Sequence, residues 1–200
     1  DLLSAAQRRE LETLLEARFP GRKVAFISCQ NGEGIKDWLG DALTETQSGG
    51  RILDLDYDTY AEGEAVLGWL NGYFGLASDA DIDWKDFGGR YLKTLQEAFV
   101  QRRAQVGHVK LFLSTQTGTM TANLVSSKGP VAIRTQGELP ASTAAEMTLN
   151  ARVQMDPEKL QELCLDILRQ LNERVSVRVL NLRSLRPGRP QPTYRYSGTV

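Results

Sequence analysis

Histidine is almost missing from this sequence. His108 stands alone among 200 residues, so no metal centre built on several imidazoles can be assembled from this chain. Cysteine is nearly as scarce: Cys29 and Cys164 lie far apart, form no disulfide framework, and fit a reducing, cytoplasmic setting. No apolar run approaches the length that crosses a bilayer, so no membrane partner is expected. No secretory leader is visible, and the abrupt opening on Asp1 leaves upstream residues expected. A phosphate-cradling loop of the form G-x-x-x-x-G-K-[ST] is missing, which denies the isolated chain the means to hold nucleotide phosphates and Mg²⁺ together. No serine or cysteine has a visible base partner, which excludes a hydrolytic triad.

What is present describes a globular protein. Apolar residues make up 41 % and charged residues 24 %, enough to bury a core and too balanced for a disordered chain. The formal net charge is −1, but the charges are segregated. Nine acids between Asp54 and Asp86 face a single lysine, Lys85; from Arg174 onward there are six arginines and no acid. Such blocks meet each other or solvent more often than a charged partner.

The first 45 residues read as helix, strand, glycine-containing loop, helix. Ser4 followed by Gln7 is a capping box. Leu11, Leu14, Leu15 and Phe19 recur at helical spacing until Pro20-Gly21 ends the run. K-V-A-F-I-S (23–28) has strand length, N-G-E-G is a loop, and 35–43 is helical, with Ile35, Trp38, Leu39 and Ala42 on one face. That order is the grammar of an open α/β sheet. T-E-T-Q-S-G-G (44–50) then reads as a linker.

Beyond the linker the pattern changes. R-I-L-D-L-D-Y-D-T-Y (51–60) alternates as a strand, with Asp54, Asp56 and Asp58 on one side. Three glycines within 64–76 argue against helix and for a bulged strand. A long helix is expected over 84–106, with Tyr91, Leu92, Leu95, Phe99 and Val106 inward. Strands at 109–114 and 119–125 flank T-Q-T-G, a hairpin signal. Strands at 131–135 and 145–153 follow. Asp156-Pro157 opens a helix with an apolar stripe through Leu160, Cys164, Leu168 and Leu171, and 175–182 alternates as a last strand. Residues 51–186 thus read as an α+β, ferredoxin-like domain, one antiparallel sheet with two helices on one face. The tail 187–200, with three prolines, reads as extended.

Two motifs carry a resemblance. D-L-L-S before the first helix and S-C-Q-N-G-E-G-I after the first strand are similar to the last guanine-recognition elements of P-loop GTPases, N-K-x-D and S-A-x-x-G-x-G-[IV]. The stretches R-I-L-D-L-D-Y-D-T-Y-A-E-G-E-A-V-L-G-W-L-N, G-H-V-K-L, L-N-A-R-V-Q-M-D-P and R-P-G-R-P-Q-P-T-Y-R look like the CobW-type family of metal-chaperone GTPases. The resemblance implies that residues 1–45 are an α/β remnant of the GTPase domain, followed by the α+β domain. It implies that Asp1 receives the guanine N1–H and 2-amino hydrogen bonds, and that the loop Ser28-Cys29-Gln30 offers a backbone N–H to guanine O6. A carboxylate suits the first role because it only accepts, and can accept twice. Cys29 stands where the family has alanine, a small departure for a backbone contact. GTP and Mg²⁺ are then cofactors of the whole protein, with the family's metal motif and phosphate loop upstream of Asp1. The partners are a client protein or the missing GTPase segment. The alternative is an autonomous, non-catalytic protein-binding module.

The remaining candidates read as structural. Asp54, Asp56 and Asp58 could gather a hard cation through oxygen, but such a row is more often the charged face of an edge strand. Cys164 lies on an apolar stripe and reads as an inert core thiol. His108 reads as a capping or packing residue. Trp38, Trp69 and Trp84 read as packing, and no aromatic-basic motif of an RNA-binding sheet appears, so nucleic acid is not an expected partner.

Overall fold

Two capped, one-sided helices and an alternating strand pattern dictate most of the architecture. The computed structural model describes residues 2–44, 56–189 and 191, and these fall into two compact units, 2–44 and 56–191.

In the first unit, α1 (Ala5–Arg18) starts at the expected capping box. Ser4 Oγ accepts from Gln7 N, and Gln7 Oε1 accepts from Ser4 N. α2 (Ile35–Thr44) follows the glycine-containing loop. The strand expected at 23–28 does not form. The segment alternates partly buried and exposed residues, as a strand would, but no described residue of this unit pairs with it in a ladder. An extended segment counts as a strand only when a neighbour takes its N–H and C=O groups. The described part of this unit therefore consists of two helices and a loop.

The second unit begins with a correction. Where 51–60 had read as a strand, the described part is α3 (Tyr57–Ala65), and 51–55 lie outside the described residues. Asp56 is its N-cap, with its carboxylate accepting from Asp58 N, Thr59 N and Thr59 Oγ1. Helix then gives way to β1 (Gly68–Ile82), α4 (Trp84–Gln101), β2 (Val106–Ser114), β3 (Gly118–Leu124), β4 (Ala132–Gly137), β5 (Ser142–Val153), α5 (Pro157–Gln170) and β6 (Val175–Leu185). The six strands form one antiparallel sheet in the order β4-β3-β2-β5-β1-β6. β1 takes its glycines as strand residues, and its register against β6 shifts between Tyr73 and Phe74, the irregularity the glycines had suggested.

Both long helices cover one face of this sheet. α4 is capped by Asp83, which accepts from Asp86 N at 2.9 Å, and buries Phe87, Tyr91, Leu92, Leu95 and Phe99. It ends five residues before the expected boundary. Arg103 turns the chain at φ 53°, and Val106 opens β2 rather than closing the helix. Gly88 lets α4 approach β3 closely, since a Cβ there would lie 2.6 Å from Met120 Cε. α5 is capped by Asp156, has Pro157 in its first turn, and buries Leu160, Cys164 and Leu168. Against them lie Leu70, Phe74 and Leu76 of β1, Leu111 and Leu113 of β2, and Met147, Leu149 and Ala151 of β5. Two polar groups inside are satisfied: Trp84 Nε1 donates to Ser142 Oγ at 3.0 Å and Tyr91 Oη to the Cys164 carbonyl at 2.9 Å.

β5 lies between β2 and β1, so its buried residues have neighbours on both sides. Leu149→Ala removes a fully buried side chain there and is expected to destabilise this unit by about 2–5 kcal/mol. Val125→Ala, at a position 69 % exposed, is expected to stay within about 0.5 kcal/mol. Urea titration followed by tryptophan fluorescence checks both; equal losses would place the core elsewhere.

Candidate functional site

The loop after the extended segment is built by its own side chains. Ser28 is the one buried residue among 2–44. Its hydroxyl accepts from Gln30 N at 3.2 Å and Asn31 N at 3.3 Å, its N–H donates to the Glu33 carbonyl at 2.9 Å, and its carbonyl accepts from Gly32 N at 2.9 Å. Asn31 Oδ1 takes the Glu33 N–H at 2.9 Å. The chain then turns through Gly34, at φ 71°, where a Cβ would collide with the Phe26 carbonyl. Within this lattice the Cys29 N–H is engaged by no described residue, and Cys29 is exposed.

Two ion pairs fasten the loop and its flanks. Arg8 of α1 holds Glu33 with both guanidinium nitrogens, at 2.5 and 3.1 Å, and Lys23 pairs with Asp41 of α2. The hydrogen bond from Arg8, then its charge, holds the Glu33 carboxyl below its ordinary range. A depressed carboxyl stabilises the fold above its ordinary pKa, and that contribution disappears as the pH falls through the lowered one. Both groups are exposed to solvent, which screens the pair.

Of the four residues expected to meet a nucleotide, Ser28, Cys29 and Gln30 share this one loop, and Asp1 lies outside the described residues. Ser28 organises the loop by its side chain, whereas Cys29 is the position whose backbone donor remains available.

The acidic row is rearranged. Asp54 lies outside the described residues, Asp56 caps α3, and Asp58 pairs with Arg189 at 2.5 Å. Hydrogen bonds from Thr59 and from backbone amides hold the Asp56 carboxyl below its usual value. The alternation that suggested a strand face instead supplies a helix cap, and the Arg-rich end meets the acidic block through Arg189. Among the described residues no three histidine, cysteine or carboxylate groups gather around a common point, and no helix is long and apolar enough to cross a membrane.

His108 lies inside β2, two residues beyond its start. Burial first, then the nearby charges of Arg152 and Lys110, hold its pKa below the ordinary value. Lys110 lies two residues along the same strand, whereas Arg152 had no signal in the linear order and reaches His108 only through strand register.

The two thiols differ sharply. Cys29 is exposed; Cys164 is buried, and burial pushes its thiol up to about 12. A disulfide reagent such as Ellman's is expected to modify one cysteine in the native chain and both after denaturation. Rapid loss of both native thiols would contradict the packing of Cys164 beneath Tyr91.

Comparison with protein-family models, with curated proteins and with solved structures finds no match to this chain, so the site rests on its own residues.

Proposed function

We propose that this chain is the C-terminal region of a CobW-like GTP-binding protein, whose first unit supplies guanine-recognition elements and whose second unit senses nucleotide state or docks a client, in metal-cofactor delivery. The observation that carries the reading is the loop at 28–34. Ser28 folds the loop around its hydroxyl while no described residue pairs with the next N–H, the arrangement a backbone donor to guanine O6 requires. A second feature supports it: Leu14, Phe19, Trp38, Leu39 and Leu43 are all exposed in a unit whose one buried residue is a serine. Two amphipathic helices beside an unpaired extended segment are what the edge of a larger α/β layer looks like without its sheet. Phosphate binding, Mg²⁺ and hydrolysis then belong to an upstream segment.

The connectivity of the second unit supports the ferredoxin-like reading. β1 and β2, joined by α4, both run antiparallel to β5 between them; β5 and β6, joined by α5, both run antiparallel to β1 between them. These are two interlocked split β-α-β units, and β3 and β4 extend the sheet at one edge. The alternative, an autonomous binding module, is favoured by one observation: this unit's core is complete within 70–175.

The test is made on the intact parent polypeptide. Asp1→Asn places a donor where guanine presents donors, a mismatch of about 1–3 kcal/mol. GTP affinity is expected to fall at least roughly tenfold, and xanthosine triphosphate, with a carbonyl in place of the amino group, to bind better than to the parent. Competition titration of both nucleotides decides it. An unchanged preference would reduce Asp1 to a helix-start residue and favour the binding-module alternative.

A further inference from the structure

The sheet has a second face, opposite α4 and α5. Residues directly opposite in an antiparallel pair point to the same side, so the register defines this face row by row. One row is Trp69, Arg152 and His108; the next is Arg183, Asn71, Asn150, Lys110 and Asn123; the third is Asn181, Tyr73, Thr148, Phe112 and Thr121. None of these residues is buried, and none is acidic.

We infer that this open face binds single-stranded nucleic acid, with a backbone phosphate held between His108, Lys110 and Arg152 and bases stacked on Tyr73 and Phe112.

Four observations support this. The first is charge of one sign: three cations, Lys110, Arg152 and Arg183, stand in neighbouring rows, and among the described residues no carboxylate forms an ion pair with any of them. The pKa of His108 is held low first by burial and then by the charges of Arg152 and Lys110. The nearest acid on this face, Glu146 in the following row, accepts the Tyr73 hydroxyl at 2.5 Å.

The second is a hollow of about 260 Å³ lined by His108, Lys110, Arg152, Asn71, Asn150 and Trp69. Trp69 Nε1 is buried there without a hydrogen-bond partner, an unusual loss for a buried donor. The Arg152 guanidinium lies 3.7 Å from the centre of the Trp69 ring, which fixes its plane over the sheet. Lys110, the Arg152 guanidinium and the side-chain amides of Asn71 and Asn150 thus line one hollow with no carboxylate among them, which suits a phosphate group.

The third is the aromatic pair. Tyr73 is 37 % exposed and Phe112 is 43 % exposed, in a row otherwise made of an amide and two hydroxyls, Asn181, Thr148 and Thr121. They occupy one row on either side of Thr148, two strands apart, or roughly 10 Å at the usual strand spacing. Exposed rings on an open sheet are stacking platforms for unpaired bases. The fourth is extent: the rows run from β6 to β3, too long for one small anion; a separate trough of about 640 Å³, lined by Gly75, Ala77, Ala144, Glu146 and Arg178, carries charges of both signs. A folded protein partner with acids would use the charge but not the row of amides and flat rings.

The test is fluorescence anisotropy with single-stranded oligouridylate and oligothymidylate of about twelve nucleotides, at about 50 and 200 mM salt. Binding that weakens steeply with salt is expected. Lys110→Glu and Arg152→Glu should each lower affinity at least roughly tenfold, and the Tyr73→Ala, Phe112→Ala pair at least roughly fivefold. Lys110 is exposed and makes no described hydrogen bond or ion pair, so Lys110→Glu remains decisive if loss of the Arg152–Trp69 stack disturbs folding; thermal melting checks each variant. Arg169→Glu, on α5 across the sheet, should have no effect. Absence of binding at low salt, loss only in Arg169→Glu, or equal binding by duplex DNA would overturn the inference. So would displacement by inorganic phosphate with no effect of the aromatic variants, which would leave only a bare anion pocket.

Discussion

The antiparallel pairing of 68–77 with 144–153 is the constraint from which the second unit is built. β5 bonds β1 on one side and β2 on the other, so it fixes the register of three strands at once. That register places Leu70, Phe74 and Leu76 level with Ala151, Met147 and Ala145 on one face, and Trp69, Asn71 and Tyr73 level with Arg152, Asn150 and Thr148 on the other. A slip of one residue would exchange the two sets, burying Arg152 and exposing Leu149. The same pairing therefore makes the core that α4 and α5 cover and the polar face that they leave open.

The first unit depends on a different interaction. Its order comes from local caps, a serine-centred loop and the Arg8–Glu33 pair that ties that loop to α1, most of it reached by solvent. Interactions of this kind contribute little compared with core burial. The exposed apolar side chains of α1 and α2 supply further driving force only when something covers them.

Features written in neighbouring residues were legible. Ser4 and Gln7, Asp156-Pro157, the stripe of α5 and the T-Q-T-G hairpin formed as the sequence suggested, because each is settled by residues a few positions apart. The acidic stretch misled because Asp56 has two readings. Alternation makes it a strand residue, while its position before D-T-Y-A-E makes it an N-cap, and three hydrogen bonds to the following turn favour the cap. The segment 23–28 had strand composition without a described partner, and composition does not provide one. The loop residues Ser28, Cys29 and Gln30 were legible as a group because they are contiguous. The open face was not: Trp69, Lys110 and Arg152 are scattered along the chain, and only the sheet register makes them neighbours.

The central claim is that one unit carries its own core and the other does not. Native-state hydrogen exchange measured amide by amide tests it most directly. Amides of β1, β5 and the buried side of α4 are expected to exchange only through global unfolding, whereas those of α1 and α2 should exchange through local opening at much lower free energy. Equal protection across both units would contradict the account, because it would require a core among residues 2–44 that their burial does not contain.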